Sequence, residues 1–255
     1  MASRKEEKER LRRERLEAER RASADARKRL ILGYVVAGIL ALAVIGGIVF
    51  AIFGGGDDSG GQGEDTGENV DTRFGALPKD LPVDERVGTP PPEIVNGDLE
   101  GAAAEAGCDL QLDLPDEGNA HFTEIDKEPE YETSPPTSGD HYFNPTESGS
   151  GALADGAFLE TPPFNRLVHS FEHGRVAVQY SSELPEEDQL ALKGIFDTSG
   201  GGVDLFPNDE MPYDVAVTAW TQLLGCKTYE GGPTLDAIRD FREEFRGRGP
   251  EPVEF

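Results

Sequence analysis

An α+β fold, closed by one disulfide and held outside a membrane by a single N-terminal transmembrane helix, is the architecture this sequence predicts. Three observations lead to it. Residues 30–53, LILGYVVAGILALAVIGGIVFAIF, form one long uncharged stretch. Beyond residue 105, strand-like and helix-like patterns both occur, without the regular alternation of a doubly wound sheet. Two cysteines, Cys108 and Cys226, bracket most of that region.

The N-terminal residues 1–29 hold 12 basic and 7 acidic side chains, a net of +5. Opposite charges recur at i,i+4, as in Glu6–Arg10 and Glu9–Arg13, which favours a solvated, charged helix. Leu11 and Leu16 stand nearly alone, so no apolar stripe is available for a coiled coil. As a helix, residues 30–53 would span about 36 Å, enough for the hydrocarbon core with some tilt. Arg27, Lys28 and Arg29 precede the span and an acidic, glycine-rich segment follows it. The positive-inside rule then puts the N-terminus in the cytoplasm and everything after Phe53 outside the plasma membrane. A cleaved signal peptide would have a shorter apolar core and a small-residue cleavage site, so a single-pass signal anchor is expected.

Residues 54–104 read as an acidic, Gly/Pro-rich tether, interrupted by Pro90, Pro91 and Pro92 and poor in apolar residues. Residues 105–255 are enough for one extracytoplasmic domain. The chain carries a net −26; with +5 before the span, residues 54–255 carry −31. That balance argues against nucleic acid as a partner and against docking on an anionic lipid surface.

Within the domain, His121 to Ile125 has the pattern of a short strand. Ser134 to Asp140, with Pro135 and Pro136, must be a loop, because adjacent prolines deny both helix and ladder. Arg175 to Tyr180 alternates as a strand with its apolar side at 176, 178 and 180. Pro185 to about Thr198 is expected to be helical, with Leu190, Leu192, Ile195 and Phe196 supplying the apolar face. Val203 to Phe206 and Val215 to Trp220 read as strands. Thr234 to Arg246 is expected to close as a helix, burying Leu235, Ile238, Phe241 and Phe245. Outside the membrane, Cys108 and Cys226 are most simply a disulfide, since a metal-binding or redox dithiol would bring closer spacing.

All four histidines fall between His121 and His173. Two of them share the run His169-Ser170-Phe171-Glu172-His173. On a helix capped by Asn165 and ended by a left-handed Gly174, His169 and His173 would lie one turn apart and grip one ion. A strand running to a turn at Gly174 is the competing conformation and would hold the rings farther apart. His141, behind the proline loop, and His121 are the candidates for further ligands, with Glu172 as a ligand or orienting carboxylate. Such nitrogen-rich donors suit copper or zinc, and a thioether from Met211 would favour copper. The plainer reading is that the histidines satisfy hydrogen bonds where loops meet the core.

The same pentapeptide matches the inverted zinc-protease pattern H-x-x-E-H, with Glu172 as general base. In those enzymes it lies in a long helix, whereas here Gly174 and a strand follow at once. Ser138 and Ser170 lack a nucleophile elbow, and Gly200 to Gly202 lack the lysine of a phosphate loop.

Pro135-Pro136-Thr137-Ser138-Gly139-x-His141-Tyr142 and Leu167-Val168-His169-Ser170-x-Glu172-His173-Gly174 form two long motifs. Met211-Pro212, Thr218-Ala219-Trp220 and Gly249-Pro250-Glu251 follow. Together they resemble a bacterial family of membrane-anchored proteins known as domain of unknown function 3105, over about residues 105–255. The resemblance implies a single-pass anchor, an extracytoplasmic domain and a shared site at His141, His169, Glu172 and His173, without an activity to carry over. Three functions are therefore expected to compete: a metal-binding domain, a metal-dependent hydrolase using Glu172, and an interaction module for a cell-envelope protein.

Overall fold

The computed structural model describes residues 70–255, so the charged arm, the expected span at 30–53 and the first part of the tether lie outside the described residues. Among the described residues no helix is long and apolar enough to cross a membrane. In chain order the elements are β1 (Val70–Asp71), α1 (Leu99–Glu105), β2 (Asp109–Gln111), β3 (His121–Phe122), β4 (His141–Tyr142) and β5 (Asp155–Gly156). There follow α2 (Phe164–Glu172), β6 (Val176–Tyr180), α3 (Glu186–Asp197), β7 (Val203–Pro207), β8 (Val215–Ala219), β9 (Gln222–Cys226) and α4 (Gly232–Phe245). This is the expected mixture of helix and sheet.

The principal sheet has five strands in the order β2-β9-β8-β6-β7. Only β6 and β7 run parallel, and α3 makes the crossover between them, as a parallel pair requires. The remaining neighbours are antiparallel, with β8 and β9 joined as a hairpin. Strand β6 is buried along its whole length, and its alternation sorts the core into two layers. Val176, Val178 and Tyr180 meet Leu192 and Ile195 of α3 and Leu235, Ile238 and Phe241 of α4. Ala177 faces the other way and packs with Leu167, Val168 and Phe171 of α2, together with Phe206 and Trp220. The second layer is the floor of the candidate site, because α2 carries His169 and Glu172.

The disulfide joins Cys108, just after α1, to Cys226 at the end of β9, 118 residues apart in sequence. The disulfide is the one expected, whereas the segment before it, expected as a tether over 54–104, is held by other contacts. Residues 70–104 lie on the domain instead of leading away from it: β1 pairs with β5, and Ala76 and Val83 bridge to Leu153 and Phe158. Thr89 donates its amide to Leu190, and Ala102 and Ala103 of α1 enter the main core. Apolar residues are sparse here, but Val70, Leu77 and Leu81 dock singly onto the α2 layer, which a composition reading does not register.

Further elements differ from expectation. Strand β3 stops at Phe122 instead of Ile125. Strand β9 and the short β2 were not anticipated. Of the α4 face expected to be buried, Leu235, Ile238 and Phe241 are buried, whereas Phe245 is only half-buried.

Candidate metal centre

The site is assembled from three places in the chain. Strands β3 and β4 pair in parallel with His121 opposite His141, so two distant loops place imidazoles side by side. The loop before His141 includes buried Pro135 to Gly139, and Thr137 accepts the amide of Thr221, which ties it to the β8–β9 hairpin. Helix α2 contributes His169 and Glu172 from its last turn, with His173 as the capping residue and Gly174 in the left-handed region at φ +86°. The helical alternative therefore holds, and glycine ends it because a side chain there would be strained.

Asn165 does not cap this helix. The N-terminal boundary is Pro163, which makes no side-chain cap, and Asn165 lies inside the first turn. Its buried Nδ2 donates to the carbonyls of Ile125 and Lys127 at 3.0 and 2.8 Å, binding α2 to the loop that leaves β3. The Asn165 amide is taken by the carboxyl of Glu128, whose pKa burial nevertheless raises.

Ligating atoms of His121, His141, His169 and Glu172 all lie within 4.8 Å of one another. This quartet could hold a metal ion. Glu172 Oε2 is its centre, 3.1 Å from His141 Nε2 and 3.4 Å from His121 Nε2. His141 is fully buried, its ring stacked on His169 with centroids 4.7 Å apart and its edge toward Trp220 at 6.3 Å. His121 is the solvent-facing member and stacks on Phe143 at 4.8 Å. His173 is not in the quartet. Its Nε2 lies 3.1 Å from His169 Nε2, and its Nδ1 lies 2.9 Å from the carbonyl of Glu251.

Two ring orientations are fixed by backbone carbonyls. Gly139 accepts from His141 Nδ1 at 2.9 Å, as Glu251 does from His173. A carbonyl only accepts, so in a neutral ring the proton sits on Nδ1 and Nε2 presents its lone pair to the cluster. His169 Nδ1 is buried with no hydrogen-bond partner. Burial, reinforced by the charges of His141 and His173, pushes the pKa of His169 down to about 3, so the ring is neutral at neutral pH. Burial opposes ionisation of Glu172, but when His141 carries a proton on both nitrogens its Nε2–H hydrogen bond and charge, followed by those of His121, outweigh it and hold the carboxyl below its ordinary range.

Other expected participants lie elsewhere. Met211 packs with Ala216 and Leu223 in a separate apolar cluster, so it supplies no thioether to the quartet. Ser138 accepts the Glu117 amide and Ser170 donates to the Leu167 carbonyl, which are structural roles. Both cysteines are consumed in the disulfide. Phe143 and the Gly139 carbonyl were not anticipated; the glycine preceding the Asp140-His141 pair was the only sequence signal for the latter.

A mixed α+β domain in which one short helix and a two-stranded pair bring three histidines and a carboxylate together defines a potential metal site. The chain belongs to the family described as protein of unknown function (DUF3105), whose model matches residues 123–254. The matched span contains His141, His169, Glu172 and His173 but begins after His121. Neither a curated protein nor a solved structure matches the chain.

Proposed function

We propose that this chain is a single-pass, membrane-anchored protein whose extracytoplasmic domain binds one divalent transition-metal ion, copper or zinc, through His121, His141, His169 and Glu172. The observation that carries the reading is the contact between His141 and Glu172. Gly139 holds the Nδ1 proton of His141, so a neutral ring turns a bare Nε2 toward a carboxylate oxygen 3.1 Å away. Two acceptors at that distance need a proton or a cation between them. Metal–ligand bonds of about 2.0–2.1 Å separate neighbouring donors by about 3.0–3.4 Å, and the contacts to Glu172 Oε2 fall in that range. A carbonyl holding the far nitrogen is also the usual support of a metal-bound histidine.

Three imidazoles and one carboxylate suit zinc or copper(II), and without a thioether or thiolate the set offers little to copper(I). Glu172 lies inside the donor set and in contact with two rings. That position favours a ligand over the free general base a hydrolase needs. The anchor rests on residues 30–53 and the charge asymmetry across them, with the plasma membrane as partner and the domain outside.

Trp220 is the single tryptophan of the chain and lies near His141, so copper(II) in the quartet should quench its fluorescence. Titrating the full-length chain in detergent with copper(II) should give saturable quenching at one equivalent, reversed by excess zinc and lost in His141→Ala. Quenching that never saturates, or persists in that variant, would refute the site and leave the interaction module as the better account.

A further inference from the structure

The C-terminal tail reaches the last turn of α2 through backbone hydrogen bonds. Glu251 donates its amide to the carbonyl of Glu172 at 2.9 Å, and Val253 donates to that of His173 at 3.3 Å. These are carbonyls that a helix leaves unpaired at its C-terminus, and the tail satisfies them. Gly249 permits the approach, since a Cβ there would stand 2.1 Å from the Glu172 carbonyl oxygen. With the tail pinned, the Glu251 carbonyl accepts from His173 Nδ1 at 2.9 Å.

The ring protons then follow in sequence. Neutral His173 carries its proton on Nδ1, so its Nε2 can only accept. That Nε2 faces His169 Nε2 at 3.1 Å, and the proton between them must come from His169. His169 is then left with its lone pair on Nδ1, the buried nitrogen that has no partner in the protein.

Resting on the metal-site reading above, we propose that His173 is a positioning residue and not a ligand. It accepts a hydrogen bond from His169 Nε2–H, donates its own Nδ1–H to the Glu251 carbonyl, and so directs His169 to offer Nδ1 to the ion. His141, by contrast, is turned by the Gly139 carbonyl to offer Nε2. The quartet thus binds with mixed ring nitrogens, and the tail is part of its support. Loss of such a supporting partner typically costs about 10–100-fold in metal affinity.

Four histidines make the test tractable by long-range 1H–15N NMR of imidazole-labelled, full-length chain in detergent, without metal and with zinc. The metal-free protein should show His169 protonated on Nε2 and His173 on Nδ1. Zinc should then shift Nδ1 of His169 and neither nitrogen of His173. A zinc shift on His173 Nε2, or His169 protonated on Nδ1, would overturn the relay. If zinc shifts no histidine, the metal-site reading fails, while the metal-free tautomers still decide the relay. A second arm compares His173→Gln, whose amide oxygen can accept the His169 proton, with His173→Ala. Zinc affinity should stay within about threefold of the parent in the first and fall about 10–100-fold in the second. Equal affinities in the two variants would contradict a positioning role.

Discussion

His169 and Glu172 lie three residues apart on one helix turn, and burial acts on them in opposite balance. Unfolded His169 takes up a proton near its ordinary 6.5, whereas the folded ring stays neutral down to about 3. Across that window the unfolded chain binds more protons, so stability falls as pH drops below about 6.5. Glu172 acts in the same direction at lower pH: its folded carboxyl titrates below the ordinary 4.5, so its contribution is present above 4.5 and lost as pH falls through the depressed value. In metal-free protein, denaturant unfolding between pH 6.5 and 5 should show stability decreasing by up to about 1.4 kcal/mol per unit. His169→Gln should flatten that slope; an equal slope in parent and variant would contradict the burial of a neutral ring. Much of this cluster was legible in the sequence, because histidine is rare here and the motif set His169, Glu172 and His173 on one helix end. Spacing alone could not separate ligand from support. His173 shares the helical face but sits at the cap, where the tail carbonyl claims one of its nitrogens.

At the level of elements, the site depends on holding α2 against the β3–β4 pair. Asn165 does this with one amide group that satisfies two carbonyls 40 and 38 residues away. Its substitution by leucine should remove both bonds, each worth about 0.5–1.5 kcal/mol in denaturant unfolding. A cost near zero would show that the loop is held by other contacts. The same residue shows where sequence reasoning runs out. Asparagine before an apolar helical run signals a local cap, and nothing local announces that it reaches across to a loop. Strand β9 escaped for a related reason. Its hairpin turns at Trp220 and Thr221, with Thr221 at φ +59°, and lacks the Asn-Gly or Asp-Gly pair that marks such turns. By contrast β6, α3 and α4 were readable, because each carries its full periodicity within its own residues.

For the molecule as a whole, the disulfide connects the segment that enters the domain with the last strand of the sheet. Closing a loop of 118 residues is worth about 4–5 kcal/mol in the chain-entropy account. Reduction should lower the unfolding free energy by that amount and move the denaturant midpoint down accordingly; a midpoint unchanged by reductant would mean that the bond adds nothing to stability. The pairing was legible because the sequence has only two cysteines, too far apart in sequence for a close-spaced metal-binding or redox dithiol. The domain's true start was not, since residues 70–104 hold too few apolar side chains to announce a core and instead borrow the one built downstream.

The central claim is that the quartet binds one ion, and metal content of the full-length chain measures it directly. Protein loaded with zinc or copper, dialysed and analysed by mass spectrometry, should retain close to one equivalent, and a His141→Ala/His169→Ala variant of equal helicity should retain essentially none. Parent and variant retaining the same amount, whether none or many equivalents, would contradict the account.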